Sequence, residues 1–290
     1  MDSIELGLFA SRIEAVCDEM GAVLQQAAFS PNIRDRLDYS CAVFDPRGEL
    51  CAQAAHIPVH LGSMAYAMRD LVQCRRWRDG DMLVVNDPYR GGTHLPDITL
   101  VSPVFVEGAC VGFVANRAHH ADIGADSPGS MPVGTRLEDE GLLIPPTLLI
   151  DRGERVQPVL DRIIAATHNA VVTEGDFSAQ ISANLIGVAR VRALATRRRV
   201  DAYLAGLAEI NAYGERMALE ALNALPDGEY RFADVMDDDG QGTTDIELRV
   251  RVVIRRGRVD VDFTGTAAQV EGNINCPLSV AAAAVFYVFR

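Results

Sequence analysis

The chain has no C-x-x-C pair, no lysine, no nucleotide-binding glycine fingerprint and no apolar run of membrane-spanning length. Each absence excludes something. The six cysteines (Cys17, Cys41, Cys51, Cys74, Cys110 and Cys276) mostly stand in apolar runs, so buried thiols in a reducing cytoplasm are expected rather than a disulfide framework. A formal net charge of -13 argues against a nucleic-acid surface, and the Arg197–Arg199 cluster reads as a solvated helix face. Gly91-Gly92 belongs to neither a Walker A nor a G-x-G-x-x-G sequence, so the chain is not expected to bind ATP by itself. The N-terminus MDSIELGL is acidic and lacks the basic region of a signal peptide. The stretch GNINCPLSVAAAAVFYVF opens with polar residues and contains Pro277, leaving an apolar part too short for a spanning helix. No membrane partner is expected. The chain stops at Arg290 within that run, without a cap or polar tail, and reads as truncated.

What is present is ordinary globular material: 49% hydrophobic and 23% charged residues over 290 positions, enough for one large or two modest domains. Apolar positions from Ile4 to Leu24 recur at helical spacing, predicting a helix over residues 4–28 with Asp2 or Ser3 as its cap. DYSCAVF and ELCAQAA flank Asp45-Pro46-Arg47-Gly48, a type I turn signal, and predict a hairpin. A helix from Ser63 to Cys74 and a strand DMLVVN follow. ITLVSPVF and VGFVANRA, joined by VEGAC, form a second hairpin, and GLLIPPTLLI reads as extended. From Asp176 to Leu225 the pattern is two long helices broken near Arg199, and three strands after them form an antiparallel meander. The fold class is therefore α+β, with antiparallel or mixed sheets and long helices, incomplete at the C-terminus. Residues 1–170 form an N-terminal α+β segment carrying the candidate metal site. Residues 171–290 form a helical hairpin plus antiparallel strands, part of the same larger fold.

The stretch Asn86–Asp126 holds the chemistry. His94 and Asp97 precede one strand of the second hairpin, and His119, His120 and Asp122 follow the other. Antiparallel neighbours place the residues before the first strand beside those after the second, so His94, Asp97 and His119 form one candidate site. Two imidazoles and a carboxylate suit Zn, Mn or Fe(II) with open positions; the plainer reading is a set of hydrogen-bonded rim histidines. His120 alternates to the opposite side, and Asp122 with it, which suits a supporting role. His56 and His60 lack the glutamate of a zinc-protease helix, and read either as substrate-pocket histidines or as structural caps of the next helix. Asp237-Asp238-Asp239-Gly240 lacks calcium-loop spacing and reads as an acidic turn. No Ser/His/Asp or Cys/His set stands out as a nucleophile.

These strings, DRLDYSCAVFDPRGEL, AHIPVHLGSM, GDMLVVNDPYRGGTHLPDITLVSPVF, NRAHHADIG, DFSAQISAN, and VDFTGT with GNIN, together resemble the hydantoinase B / 5-oxoprolinase family, over nearly the whole chain from about residue 4. That family also contains the alpha-type subunits of acetone and acetophenone carboxylases. The resemblance implies a subunit acting beside an ATP-using hydantoinase A-like partner on an activated cyclic amide, a hydantoin or 5-oxoproline, with ketone carboxylation as the alternative. A non-catalytic assembly fragment is a third reading. The carboxylase branch's metal ligands match His94, Asp97 and His119. On this basis His120 or Asp122 is expected to shuttle a proton, and Arg90 and Arg117 to hold a phosphate or carboxylate, beside His56 and His60 in the substrate pocket.

Overall fold

A computed structural model describes residues 1–55, 57–60, 62–129 and 132–289. Helix α1 (Ser3–Ala27) begins where the Asp2 side chain accepts from the Glu5 N–H at 2.8 Å, and ends as Ala28 turns extended ahead of Pro31. Its buried face repeats every three or four residues through Phe9, Ile13, Val16, Met20 and Leu24. Each of these large side chains contributes roughly 1.5–3 kcal/mol on leaving water. A short α2 (Pro31–Arg34) follows, then the hairpin β1 (Tyr39–Phe44) and β2 (Leu50–Ala55). The turn between them is fastened by the Asp45 carboxylate, which accepts from the N–H groups of Arg47 and Glu49 at 2.8 and 2.9 Å.

Helix α3 (Ser63–Leu71) is one turn shorter than its sequence pattern predicts, because the Trp77 indole claims the Val72 carbonyl at 3.0 Å and the chain tightens into turns. Strand β3 (Met82–Val85) leads to the long hairpin β4 (Asp97–Val106) and β5 (Ala109–His119), whose two-residue turn places Glu107 and Gly108 at φ of 51° and 81°. Of the extended GLLIPPTLLI run, only β6 (Thr147–Asp151) is ladder-paired; it is followed by β7 (Glu154–Arg155) and α4 (Gln157–Ala166). Helix α5 (Ala170–Arg198) starts six residues earlier than the sequence pattern, since Asn169 caps it by accepting from Val172 N–H at 3.2 Å. It breaks at Arg199 (φ 70°) into α6 (Val200–Asn223). The meander β8 (Gly228–Asp238), β9 (Thr244–Arg255) and β10 (Arg258–Asp262) and helix α7 (Leu278–Phe289) complete the α+β chain.

The main sheet has the order β2-β1-β5-β4-β3-β6-β7, with every neighbouring pair antiparallel. Its two faces bury different things. On one, Cys41, Val43, Val104, Val114 and Ala118 pack against α1, α5 and α6, and Ile98 and Leu100 against α5 and its neighbours. Helices α1 and α5 approach closely at Gly187, where the Met20 side chain fills the space that a Cβ would take. On the other face, Ala42, Phe44, Leu83, Val101, Phe113 and Ala115 pack beneath α3. Alternation along β5 therefore sends Arg117 and His119 toward α3, and Asn116, Ala118 and His120 toward α5. Among the described residues, no helix is long and apolar enough to cross a membrane.

The three-stranded meander is docked through Asp239. Its carboxylate accepts from the N–H groups of Gln241 and Thr243 at 2.8 and 2.9 Å, and from Gly272 N–H at 3.1 Å. Burial opposes the charged form, but these backbone donors outweigh it and hold the carboxyl at about 2. A depressed folded value means the contribution is complete above about pH 4 and fades as pH falls through the folded value. Asp239→Ala is expected to lower amide protection around Gly272 at pH 7 in hydrogen exchange. The difference from the unmodified protein should shrink as the pH is lowered from 4 toward 2.

Candidate functional site

The segment between β3 and β4 carries His94 and Asp97, and its conformation is imposed from outside. Gly91 sits at φ +91°, and a Cβ there would meet the Ala67 backbone at 2.3 Å, so glycine is required. Four of the segment's carbonyls are then claimed by distant groups. Arg117 donates to Gly91 O at 2.9 Å, Asn86 to Leu95 O at 2.8 Å, the His120 backbone to Pro96 O at 2.9 Å, and Gln180 to Ile98 O at 2.9 Å. The Ser279 hydroxyl of α7 donates to Gly92 O as well. Leu95 is fully buried beneath the loop and anchors it in the core.

Strand register does the rest. Asp97 pairs directly with His119, so both side chains leave the sheet on the same face. His94 Nε2 lies 3.0 Å from His119 Nδ1 and 3.2 Å from Asp97 Oδ1, and His119 Nδ1 lies 3.1 Å from Asp97 Oδ1. The other Asp97 oxygen accepts from the Thr93 hydroxyl and faces His60 Nε2 at 3.4 Å. His60 is fully buried, with its Nδ1 3.0 Å from the Ser40 hydroxyl. Burial alone would raise the Asp97 carboxyl. The surrounding imidazoles outweigh it and hold the group well below the usual carboxylate range. In return, Asp97 outweighs the effect of burial on His94 and holds that imidazole above its ordinary value.

The triangle of donor atoms fits a divalent cation. Bonds of about 2.1 Å set neighbouring donors about 3.0 Å apart at right angles and about 3.4 Å apart in a tetrahedron, which brackets the observed spacing. Asp38, His60 and Asp97 also bring ligand-type atoms within 4.8 Å of one another. His94 is the partly open member, its side chain 29% exposed, and it faces a cavity of about 430 Å³. The cavity walls come from Pro88 and Tyr89, from residues 135–140, and from residues 269–280.

Other expected site residues lie elsewhere. Arg117 does not hold a ligand: it is fully buried, its guanidinium pushed down to about 10 by burial, and it donates to Thr99, Ser63 and Gly91 at 2.8, 2.8 and 2.9 Å. Arg90 is exposed and outside the cavity lining. His120 faces α5, with its Nε2 2.8 Å from Gln180 Oε1 and its ring against Phe177; burial lowers its pKa. Asp122 accepts from the N–H groups of Gly124, His168 and Asn169, fastening the approach to α5. Neither residue, expected from the sequence to shuttle a proton, lines the cavity. His56 lies outside the described residues. His60 joins the cluster as a neighbour of Asp97. Sequence reasoning missed Asp38, Arg136 and Glu140, because only the pairing of β1 with β5 and the folding back of residues 135–140 bring them near. It missed Thr93, next to His94 in the same loop, because a lone threonine carries no signal of its own.

Comparison with known proteins then bears on the whole chain. The sequence profile described as hydantoinase B/oxoprolinase matches residues 2–290. 5-oxoprolinase 1 of Arabidopsis thaliana is 34% identical over 327 aligned positions, covering 100% of this chain and 25% of that protein. The crystal structure of the ATP-dependent caprolactamase from Pseudomonas jessenii superposes with a TM-score of 0.91 at 28% identity, covering 99% of this chain and 50% of that one. A nucleotide-free acetone carboxylase structure, at 20% identity and a TM-score of 0.89, shares the fold, with 98% of this chain and 40% of that chain covered. The chain thus spans between a quarter and a half of the length of these relatives.

Arg117→Lys keeps the charge but cannot reach three acceptors in one plane. It is expected to cost about 2 kcal/mol in urea unfolding, because buried acceptors are left unpartnered.

Proposed function

Because this chain belongs to the hydantoinase B/oxoprolinase family, we propose that it is the metal-dependent B-type portion of an ATP-dependent enzyme that opens cyclic amides, such as a hydantoin or 5-oxoproline. The observation that carries this reading is the His94–Asp97–His119 donor triangle at the floor of a cavity of about 430 Å³. That volume suits a five- to seven-membered ring with room for water. A Zn, Mn or Fe(II) ion held there would supply Lewis acidity toward an amide carbonyl and a hydroxide near neutral pH.

The chain's own residues set the geometry. Asp97 presents one oxygen to the two imidazoles, while Thr93 and His60 occupy the other, so the carboxylate cannot rotate out of the triangle. His94 is the ligand beside substrate, since it is the most open of the three, its side chain 29% exposed against 2% for Asp97 and 5% for His119. Glu140, on the cavity wall, is held above its ordinary value by burial and stands where a proton can pass to a departing ring nitrogen.

ATP consumption is assigned to a hydantoinase A-like partner, because the chain contains no Walker A or dinucleotide fingerprint. Relatives two to four times its length have room for such functions in additional segments. The six unpaired cysteines suit a reducing cytoplasm.

Metal content and turnover test the reading together. Purified protein is expected to retain about one divalent ion per chain, and His94→Ala to lose it, lowering turnover by about two orders of magnitude or more, as loss of catalytic metal ligands does. With the partner present, ATP hydrolysis should depend on an added lactam. A metal-free protein, or ATP use that responds to a ketone with bicarbonate and not to a lactam, would remove the amidohydrolase assignment.

A further inference from the structure

The cavity needs a way to choose among cyclic amides, and its charges point to one. The chain contains no lysine, so arginine supplies every permanently cationic side chain. Arg117 is spent inside the fold and Arg90 lies off the cavity, which leaves Arg136 as the single arginine in the lining among the described residues. Arg136 is an exposed residue of the lining, and no ion pair joins it to any described residue.

Arg136 is presented from a fixed base. The Asp139 carboxylate accepts from the N–H groups of Thr135 and Arg136, both at 3.0 Å, and the Asp139 N–H returns to Arg136 O at 3.1 Å. The adjoining Gly134 N–H reaches the Asn273 side chain at 3.4 Å, and Asn273 in turn donates to Pro132 O at 2.8 Å. Two opposed walls, residues 132–140 and 269–277, are thus bonded to each other at the foot of this arginine.

The rest of the lining limits what Arg136 can receive. Glu140 and Glu271 share the walls, and Asp97 lies at the floor. The ion that Asp97 would help to hold offsets its charge, which leaves Glu140 and Glu271 against one guanidinium. That balance disfavours a dianion such as a free phosphate but leaves a single carboxylate matched to the planar fork. The same glutamates offer acceptors for a ring N–H. Apolar patches from Val59, Leu137, Ile274 and Val280 suit ring methylenes.

We propose that Arg136 is the receptor for a carboxylate carried on the ring, so that the pocket selects amino-acid-derived lactams over neutral ones. This selection rests on the cyclic-amide reading of the same site. Arg136 acts on recognition and is separate from the groups that hold the metal.

The test is calorimetric titration of the metal-loaded protein in its native assembly with 5-oxoproline and with 2-pyrrolidinone, the same ring without the carboxylate. Binding of 5-oxoproline is expected to be about tenfold tighter, the scale of one charge-assisted contact. Arg136→Gln should bring the two affinities within about twofold, and Arg136→Lys should restore part of the gap. The thermal midpoint should stay unchanged in both variants, as befits an exposed side chain. Equal affinities in the unmodified protein, no binding of 5-oxoproline at millimolar concentration, or a preference that survives Arg136→Gln would overturn the assignment; in the last case the floor of the site holds the carboxylate. ATP hydrolysis supported equally by the neutral lactam would keep the amidohydrolase reading and discard this one.

Discussion

The site depends on a segment with no secondary structure of its own being held by its backbone carbonyls. Between Gly91 and Ile98 the chain must leave β3, turn, and deliver an imidazole and a carboxylate to one point. Arg117, Asn86, Gln180, Ser279 and the His120 backbone each take one carbonyl of this stretch. They come from β5, the end of β3, α5, α7 and the residue after β5, so every layer of the fold has a hand on the loop. Each donor is buried, and a buried carbonyl without a partner costs about 1–3 kcal/mol. The loop is therefore fixed by interactions that are expensive to break one at a time.

This arrangement explains why the two faces of the sheet are so unlike at the ends of β4 and β5. On the α5 face the residues form a closed amide network. Gln180 bonds to His120, Ile98 and Asn116, Asn116 donates to Asn184 at 2.9 Å, and Asn184 donates to Ser102 at 3.1 Å. The polar atoms of Gln180 and Asn116 are bonded to protein, which suits a rigid support. On the α3 face the corresponding residues are Asp97 and His119, whose donor atoms converge with His94 on one point. A residue-by-residue alternation thus separates the side chains that hold the strands from those whose donor atoms converge with His94. The cavity lies on the second side only, and its far wall belongs to residues 269–280, tied back to the ligand loop through Ser279 and Gly92.

Much of the architecture was legible locally. The helix of residues 3–27, both hairpins, the break at Arg199 and the terminal meander all follow from apolar periodicity, Asp-Pro-Arg-Gly and Glu-Gly turns, and β-branched runs. The convergence of His94, Asp97 and His119 was legible only as far as two adjacent antiparallel strands bring their ends together. The turn register alone would set Asp97 opposite Ala118, and a one-residue bulge at Val111, between the Phe105–Cys110 and Val104–Gly112 pairs, moves the partner to His119. Long-range pairing was not legible. Nothing local says that β1 lies beside β5, and this is what brings Asp38, Ser40 and His60 to the site. The arginines show the same limit from the other direction. Arg117 shares the strand face of His119, yet its guanidinium is buried and used on Thr99, Ser63 and the Gly91 carbonyl. Arg136, from a loop without periodicity, is the one that reaches the cavity.

The central claim is that two imidazoles and one carboxylate hold one cation at the hairpin's end. X-ray absorption fine structure on the protein loaded with Mn(II) or Zn(II) reads that coordination sphere directly. The account predicts two imidazole-nitrogen and at least one carboxylate-oxygen scatterer at about 2.0–2.2 Å, with the outer-shell pattern of histidine rings. A sphere made only of oxygen, or one unchanged after His119→Ala, would contradict it.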